Sequence, residues 1–193
     1  GCVIISIGDS LRLERYRKRC TVIAVSPDAD FYETFNIVQN IFDSYDAWED
    51  ELSQIIGEDA DISRLLTCSE RIFGNPLFAI DADFRILGFS RLAATLEANP
   101  VANPVSGGSL RLDAFDQFLE LHDLSMHERE PLVLTLLDQT TLNYNLFESD
   151  VYRGCLIVLY EGRPYRPSDK PLVEHLGKYL LVAMQQLAAR APE

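Results

Sequence analysis

Apolar residues along this chain change period several times, and each change marks an element. Val3-Ile4-Ile5-Ser6-Ile7 and Thr21-Val22-Ile23-Ala24-Val25 are β-branched runs, which predict two short strands buried on both faces. Ser26-Pro27-Asp28 then opens a helix, since proline is tolerated in a first turn and acids suit the positive end of the helix dipole. From Phe31 the apolar residues Phe35, Val38, Phe42, Tyr45, Trp48, Leu52 and Ile55 recur in steps of three and four, the period of one helix, with Gly57 as its stop. Such a helix runs for about seven turns, roughly 40 Å, more than a compact domain of this size needs. A helix that overshoots its own domain packs against a partner chain. Phe35, Val38, Phe42, Tyr45, Trp48 and Leu52 are therefore expected to form the interface of a homodimer.

Asp61 is placed to cap a second helix, with Ile62, Leu65, Leu66 and Ile72 inward and Gly74 as its stop. Two strand-like runs flank Asp81-Ala82-Asp83, a sequence that favours a tight turn and so predicts a hairpin ending at Phe89-Ser90. Leu92–Asn99 reads as a short helix, Asn99–Ser109 with its prolines and glycines as a loop, and Leu110–Leu121 as a further helix. Pro131–Leu137, Thr141–Phe147 and Gly154–Tyr160 read as three more strands. Arg166-Pro167-Ser168-Asp169 opens a last helix, with Leu172, Leu176, Leu180, Ala183 and Leu187 on one face. The order predicts an α+β fold: a five-stranded antiparallel sheet with long helices on one face and the 92–121 insertion over the other, preceded by a small α/β fragment. Residues 1–27 are expected to be the tail of a small N-terminal α/β unit, 28–60 the linking and dimerisation helix, and 61–190 the main domain.

Charge narrows the function. The 193 residues carry a net charge of −13, and between Arg19 and Arg64 there is no basic residue, while eleven acids from Asp28 to Asp61 fall there. Gripping nucleic-acid phosphates requires a basic face, so this chain is not expected to bind DNA itself. The basic cluster of Arg12, Arg15, Arg17, Lys18 and Arg19 has no Gly-rich turn beside it and reads as an exposed surface. Cys2, Cys20, Cys68 and Cys155 lie far apart among apolar neighbours, as free thiols of a reducing cytoplasm do. No apolar run is long enough to cross a bilayer, so no membrane contact is expected.

Several segments together resemble a known family. Phe35-Asn36-Ile37-Val38-Gln39-Asn40-Ile41-Phe42, an acidic spacer and Trp48-Glu49 resemble the helix before the sensor domain of PucR-type (purine-catabolism-regulator-like) bacterial transcription regulators. Gly74-Asn75-Pro76, a strand, Asp81 and a second strand ending at Ser90 are similar to the opening hairpin of their GAF-like domain. Gly154 leading into Leu156-Ile157-Val158, then Arg166-Pro167-Ser168-Asp169 and a helix, is similar to its end. The resemblance covers about Val3 to Gln186. It implies a GAF/PAS-like sensor and dimerisation region whose helix-turn-helix module lies C-terminal to these residues, so that DNA is met only through that module.

Chemistry adds little. His122, Asp123, His127 and Glu128 have metal-ligand chemistry but sit in a charged, loop-like stretch, so no metal is expected. Ser106-Gly107-Gly108-Ser109 lacks the lysine of a phosphate loop, and His175 reads as a helix-surface residue. No nucleophile is paired with a base, so neither an enzyme nor a cofactor is expected. Binding has a better candidate. Alternation in Thr141–Phe147 puts Leu142, Tyr144 and Leu146 on one face and Thr141, Asn143 and Asn145 on the other. If the first face meets the helices, the amides look toward the insertion and meet either water or a polar ligand. A small-molecule effector would then contact Asn143, Asn145, Phe115 and the hairpin end at Phe89 and Ser90. The alternative is a dimerisation and spacing module with a degenerate pocket.

Overall fold

A computed structural model describes residues 2–95, 126–136 and 139–190. The expected elements Asn99–Ser109 and Leu110–Leu121, with Phe115 and His122, lie outside the described residues. The chain divides into two compact units, Gly1–Ala47 and Trp48–Glu193. The main unit thus begins at Trp48, not at residue 61, inside the long helix.

In the first unit β1 (Cys2–Ile7) and β2 (Cys20–Val25) pair parallel and in register, joined by a 3-10 turn and the short helix α1 (Glu14–Arg17). The expectation that both strands are buried on two faces fails: Val3 is 53% and Ile23 47% exposed. Two strands with one turn of helix have too little surface to cover either face. Helix α2 (Phe31–Glu58) starts in this unit. Its stop is not Gly57, which is still helical; the chain reverses at Ala60, whose φ of 56° is left-handed and whose N–H donates back to the Ile55 carbonyl.

In the second unit the strands β3 (Leu77–Asp81), β4 (Ile86–Phe89), β5 (Leu132–Leu136), β6 (Gln139–Glu148) and β7 (Val151–Leu159) form one sheet in the order β4-β3-β7-β6-β5. Every pairing is antiparallel. The five-stranded sheet read from the sequence is therefore present, with β7 at its centre. Its helices among the described residues are the end of α2, α3 (Ile62–Phe73), the short α4 (Arg91–Ala94) and α5 (Asp169–Arg190). Local chemistry sets their ends. Asp61 Oδ1 accepts the Arg64 N–H at 3.0 Å, and Gly74 closes α3 at φ 60°.

One core lies between the helices and one face of the sheet. Trp48, Leu52, Leu65, Leu66 and Phe73 pack there with Leu77, Leu142, Leu146, Leu156, Val158, Leu176 and Leu180. This corrects two of the expected interface residues. Trp48 is 2% and Leu52 0% exposed, so both belong to the core of their own chain. The apolar stripe does not change there; what it packs against does. Gly177 brings α5 close to the sheet, since a Cβ at that position would sit 2.5 Å from the Tyr144 ring. Tyr144 thus faces α5, as alternation along β6 requires. A second cluster of Phe78, Ile80, Cys155 and Ile157, with Phe84, Ile86 and Phe89 against it, occupies the opposite face.

Candidate functional site

Register defines that opposite face. Leu132 pairs with Asn143, Asn143 with Ile157, Ile157 with Phe78 and Phe78 with Phe89, a single row across all five strands. The next row carries Asn145, Cys155 and Ile80. Of the expected ligand residues, Asn143, Asn145 and Phe89 therefore share one face. Phe89 and Asn143 stand three strands apart, about 14 Å at the usual inter-strand spacing, so only an extended molecule touches both. Asn143 and Asn145, two residues apart on one strand, are about 7 Å apart.

Asn143 is 9% and Asn145 6% exposed, so the amides do not face water. Each has a partner in the chain: Asn143 Nδ2 donates to Thr141 Oγ1 at 2.7 Å, and Asn145 Nδ2 to the Glu128 carbonyl at 3.1 Å. Ser90 is corrected from ligand contact to structural cap. Its fully buried hydroxyl accepts the Leu77 N–H at 3.1 Å and the Ala93 N–H at 3.5 Å at the start of α4. An oxygen committed to two backbone donors is not offered to a ligand.

Three polar groupings escaped the sequence reading. Asn75, fully buried, accepts the Gly162 and Arg163 N–H groups on Oδ1 and donates from Nδ2 to the Phe73 and Arg163 carbonyls. It fastens the turn before β3 to the loop after β7. Asp169, 1% exposed, is held by the Arg163 guanidinium through bonds of 2.9 and 2.7 Å, with the Tyr160 hydroxyl and the Arg166 N–H as further donors. Burial works against its charge, but these donors outweigh it and keep the carboxyl below the usual range. Glu49 on α2 receives the Tyr179 hydroxyl and His175 Nε2, both from α5. The Tyr179 hydroxyl and then His175 hold its carboxyl low despite some desolvation. His175 is thus not the plain surface residue expected: its ring lies 5.4 Å from that of Trp48. The only hint in the sequence was the four-residue spacing of His175 and Tyr179, which places them on one helical face.

Two clefts of the second unit lie elsewhere among the described residues. One of about 570 Å³ runs between α2 and α3 past Glu51, Ile55, Thr67 and Arg71. Another of about 690 Å³ is bounded by Asp81, Asp83, Tyr152 and, from α5, Leu181 and Met184. Among the described residues no group of three or more His, Cys, Asp or Glu is placed to hold a metal, and no helix is long and apolar enough to cross a membrane.

No protein-family model matches the chain, and comparison with curated proteins finds no match. Solved structures do match. The GAF domain of a phosphoenolpyruvate-protein phosphotransferase from Acinetobacter is 15% identical, with a TM-score of 0.50 over 76% of this chain and 96% of that one. The corresponding domain from Coxiella burnetii is 13% identical (TM-score 0.49, 77% and 99% covered). The cofactor-binding GAF domain of the nutrient sensor CodY from Clostridium difficile is 12% identical (TM-score 0.47, 79% and 97% covered). With its sheet order and flanking helices, and on the likeness to the Acinetobacter domain, the chain has a GAF-like α+β fold.

Proposed function

We propose that this chain is the signal-sensing and dimer-forming region of a bacterial transcription regulator of the PucR type, cytoplasmic and not an enzyme. In this reading a small polar molecule binds on the sheet face of Asn143, Asn145 and Phe89, and the response passes to a DNA-binding module outside these residues. One observation carries the proposal: a buried sheet face that sets two amides beside Ile157 and Cys155, with Phe78 and Ile80 further along the same rows. Amides placed among apolar side chains give a ligand both orientation and desolvation. The net charge of −13 leaves DNA contact to another module.

A thermal-shift series with purines, amino acids and small organic acids tests this. One class should raise the midpoint in a concentration-dependent way, approaching about 2.7 kcal/mol of stabilisation at a hundredfold excess over Kd. Asn143→Leu should remove the shift while leaving an unliganded transition. No shift with any class would favour the second reading, a spacing module without ligand. That reading has its own support, because both amide NH2 groups already donate within the chain.

Dimerisation is proposed through the part of α2 before Trp48. Phe31, Phe35, Val38, Phe42 and Tyr45 follow steps of four and three, the spacing of a two-helix seam. Phe35 is 55% and Phe42 58% exposed. Continued in phase, that seam would next take Glu49, which instead bonds to α5, so it ends there. Replacing Phe35 and Phe42 together with Glu should convert a dimer to a monomer in light scattering, a loss on the order of 2 kcal/mol or more for central positions. A wild-type chain that is monomeric at high concentration would overturn the dimer.

A further inference from the structure

We propose that Cys2 and Cys20 form a reversible, peroxide-driven disulfide, which makes the first unit a site of oxidative modification. The two residues are direct partners in the parallel register of β1 and β2, each the first residue of its strand. In-register residues on neighbouring strands send their side chains to the same face, with backbones about 4.8 Å apart. A disulfide spans Cα separations of about 4.4–6.8 Å, so the strand spacing falls within the reach of the bond. Cys2 is exposed and Cys20 partly so, which lets a small oxidant reach them.

The sulfurs also sense each other. The adjacent Cys2 thiol, ahead of partial burial, pushes the Cys20 thiol above its ordinary value. The other two cysteines are internal controls: burial pushes Cys68 up to about 11 and Cys155 up to about 12, and both are shielded from solvent. Thiols of that kind are inert.

The chemistry balances with hydrogen peroxide as the oxidant. The Cys2 thiolate attacks one peroxide oxygen, breaking the O–O bond, giving a sulfenic acid and releasing hydroxide, which takes up a proton to become water. The Cys20 sulfur then attacks the sulfenic sulfur; the S–S bond forms, the S–O bond breaks, and the oxygen leaves as a second water with the Cys20 proton. Two thiols lose two electrons and two protons, and one peroxide becomes two waters. Because the attacking species is a thiolate, the reaction should quicken as the pH rises above neutral. Thiol reductants reverse it, as expected of a disulfide that comes and goes in a reducing compartment.

The test is peroxide treatment of the whole chain, followed by quantitation of free thiols, intact mass and peptide mapping. Free thiols should fall from four to two, the mass by two hydrogens, and one peptide should join Cys2 to Cys20. Dithiothreitol should restore all of them. In Cys20→Ser the two-hydrogen loss should vanish and dimedone should trap a sulfenic acid on Cys2. Four surviving thiols, a Cys2–Cys2 link between chains, or a bridge to Cys68 or Cys155 in the wild-type map would each overturn the assignment. The wild-type map decides the matter even if the variant folds poorly.

Discussion

Asp169→Ala should cost the second unit about 3 kcal/mol, read as a lower urea midpoint by circular dichroism, because it removes a buried carboxylate from the partly buried Arg163 guanidinium. The same change strips the Tyr160 hydroxyl of its acceptor and frees the Arg166 N–H in the turn that leads into α5. Asp169→Asn keeps an acceptor there and should cost less, about 1–3 kcal/mol. A variant as stable as the wild type would mean that the ion pair only offsets its own desolvation. The pH dependence has a definite sign. Asp169 and Glu49 both have folded-state values below their ordinary ones. Their contribution is complete above the ordinary carboxylate range, near 4, and is lost as the pH falls through the depressed folded values. Stability should therefore be flat near neutrality and decline on the acid side, and Asp169→Asn should flatten that decline.

Gly154→Ala should be nearly as damaging, with a loss of about 3 kcal/mol or more, or failure to accumulate soluble protein. Gly154 has φ 154° and sits between Asp81 on β3 and Leu146 on β6. A Cβ there would fall inside the contact radius of the Ile80 carbonyl oxygen, which is backbone and cannot turn aside. The residue lies beside the irregular step in the β6–β7 register, in the central strand. Gly57→Ala is the matched comparison. Gly57 lies in the last turns of α2 with open space where its Cβ would go, so alanine should add about 0.5–1 kcal/mol. Equal effects at the two positions would refute the steric account.

Local order was legible in the sequence. The period of two in β6 correctly divides Leu142, Tyr144 and Leu146 from Asn143 and Asn145, and Asp61 and Gly74 cap α3 as their chemistry requires. What escaped was chosen at a distance. An apolar stripe on α2 reveals a helix but not which surface covers it, so Trp48 and Leu52 read the same as Phe35 and Phe42. The burial of Asn143 and Asn145, the bonds of Asn75 to Gly162 and Arg163, and the pairing of Glu49 with α5 depend on tertiary neighbours that no spacing along the chain encodes. Ser90 misled for the opposite reason. Its position at a strand end suits both a ligand contact and a helix cap, and the backbone N–H groups claim it.

Trp48 gives the protein an optical gauge of its own. It is the sole tryptophan, and its indole N–H donates to Ser69 Oγ at 3.0 Å. Its ring lies 6.3 Å from that of Phe73 on α3 and 5.4 Å from that of His175 on α5. An indole so enclosed emits at short wavelength. Its colour therefore follows the opening of the junction between α2, α3 and α5. Set beside circular dichroism, that signal separates a local loosening of the helices from melting of the sheet, without a dye or an engineered label.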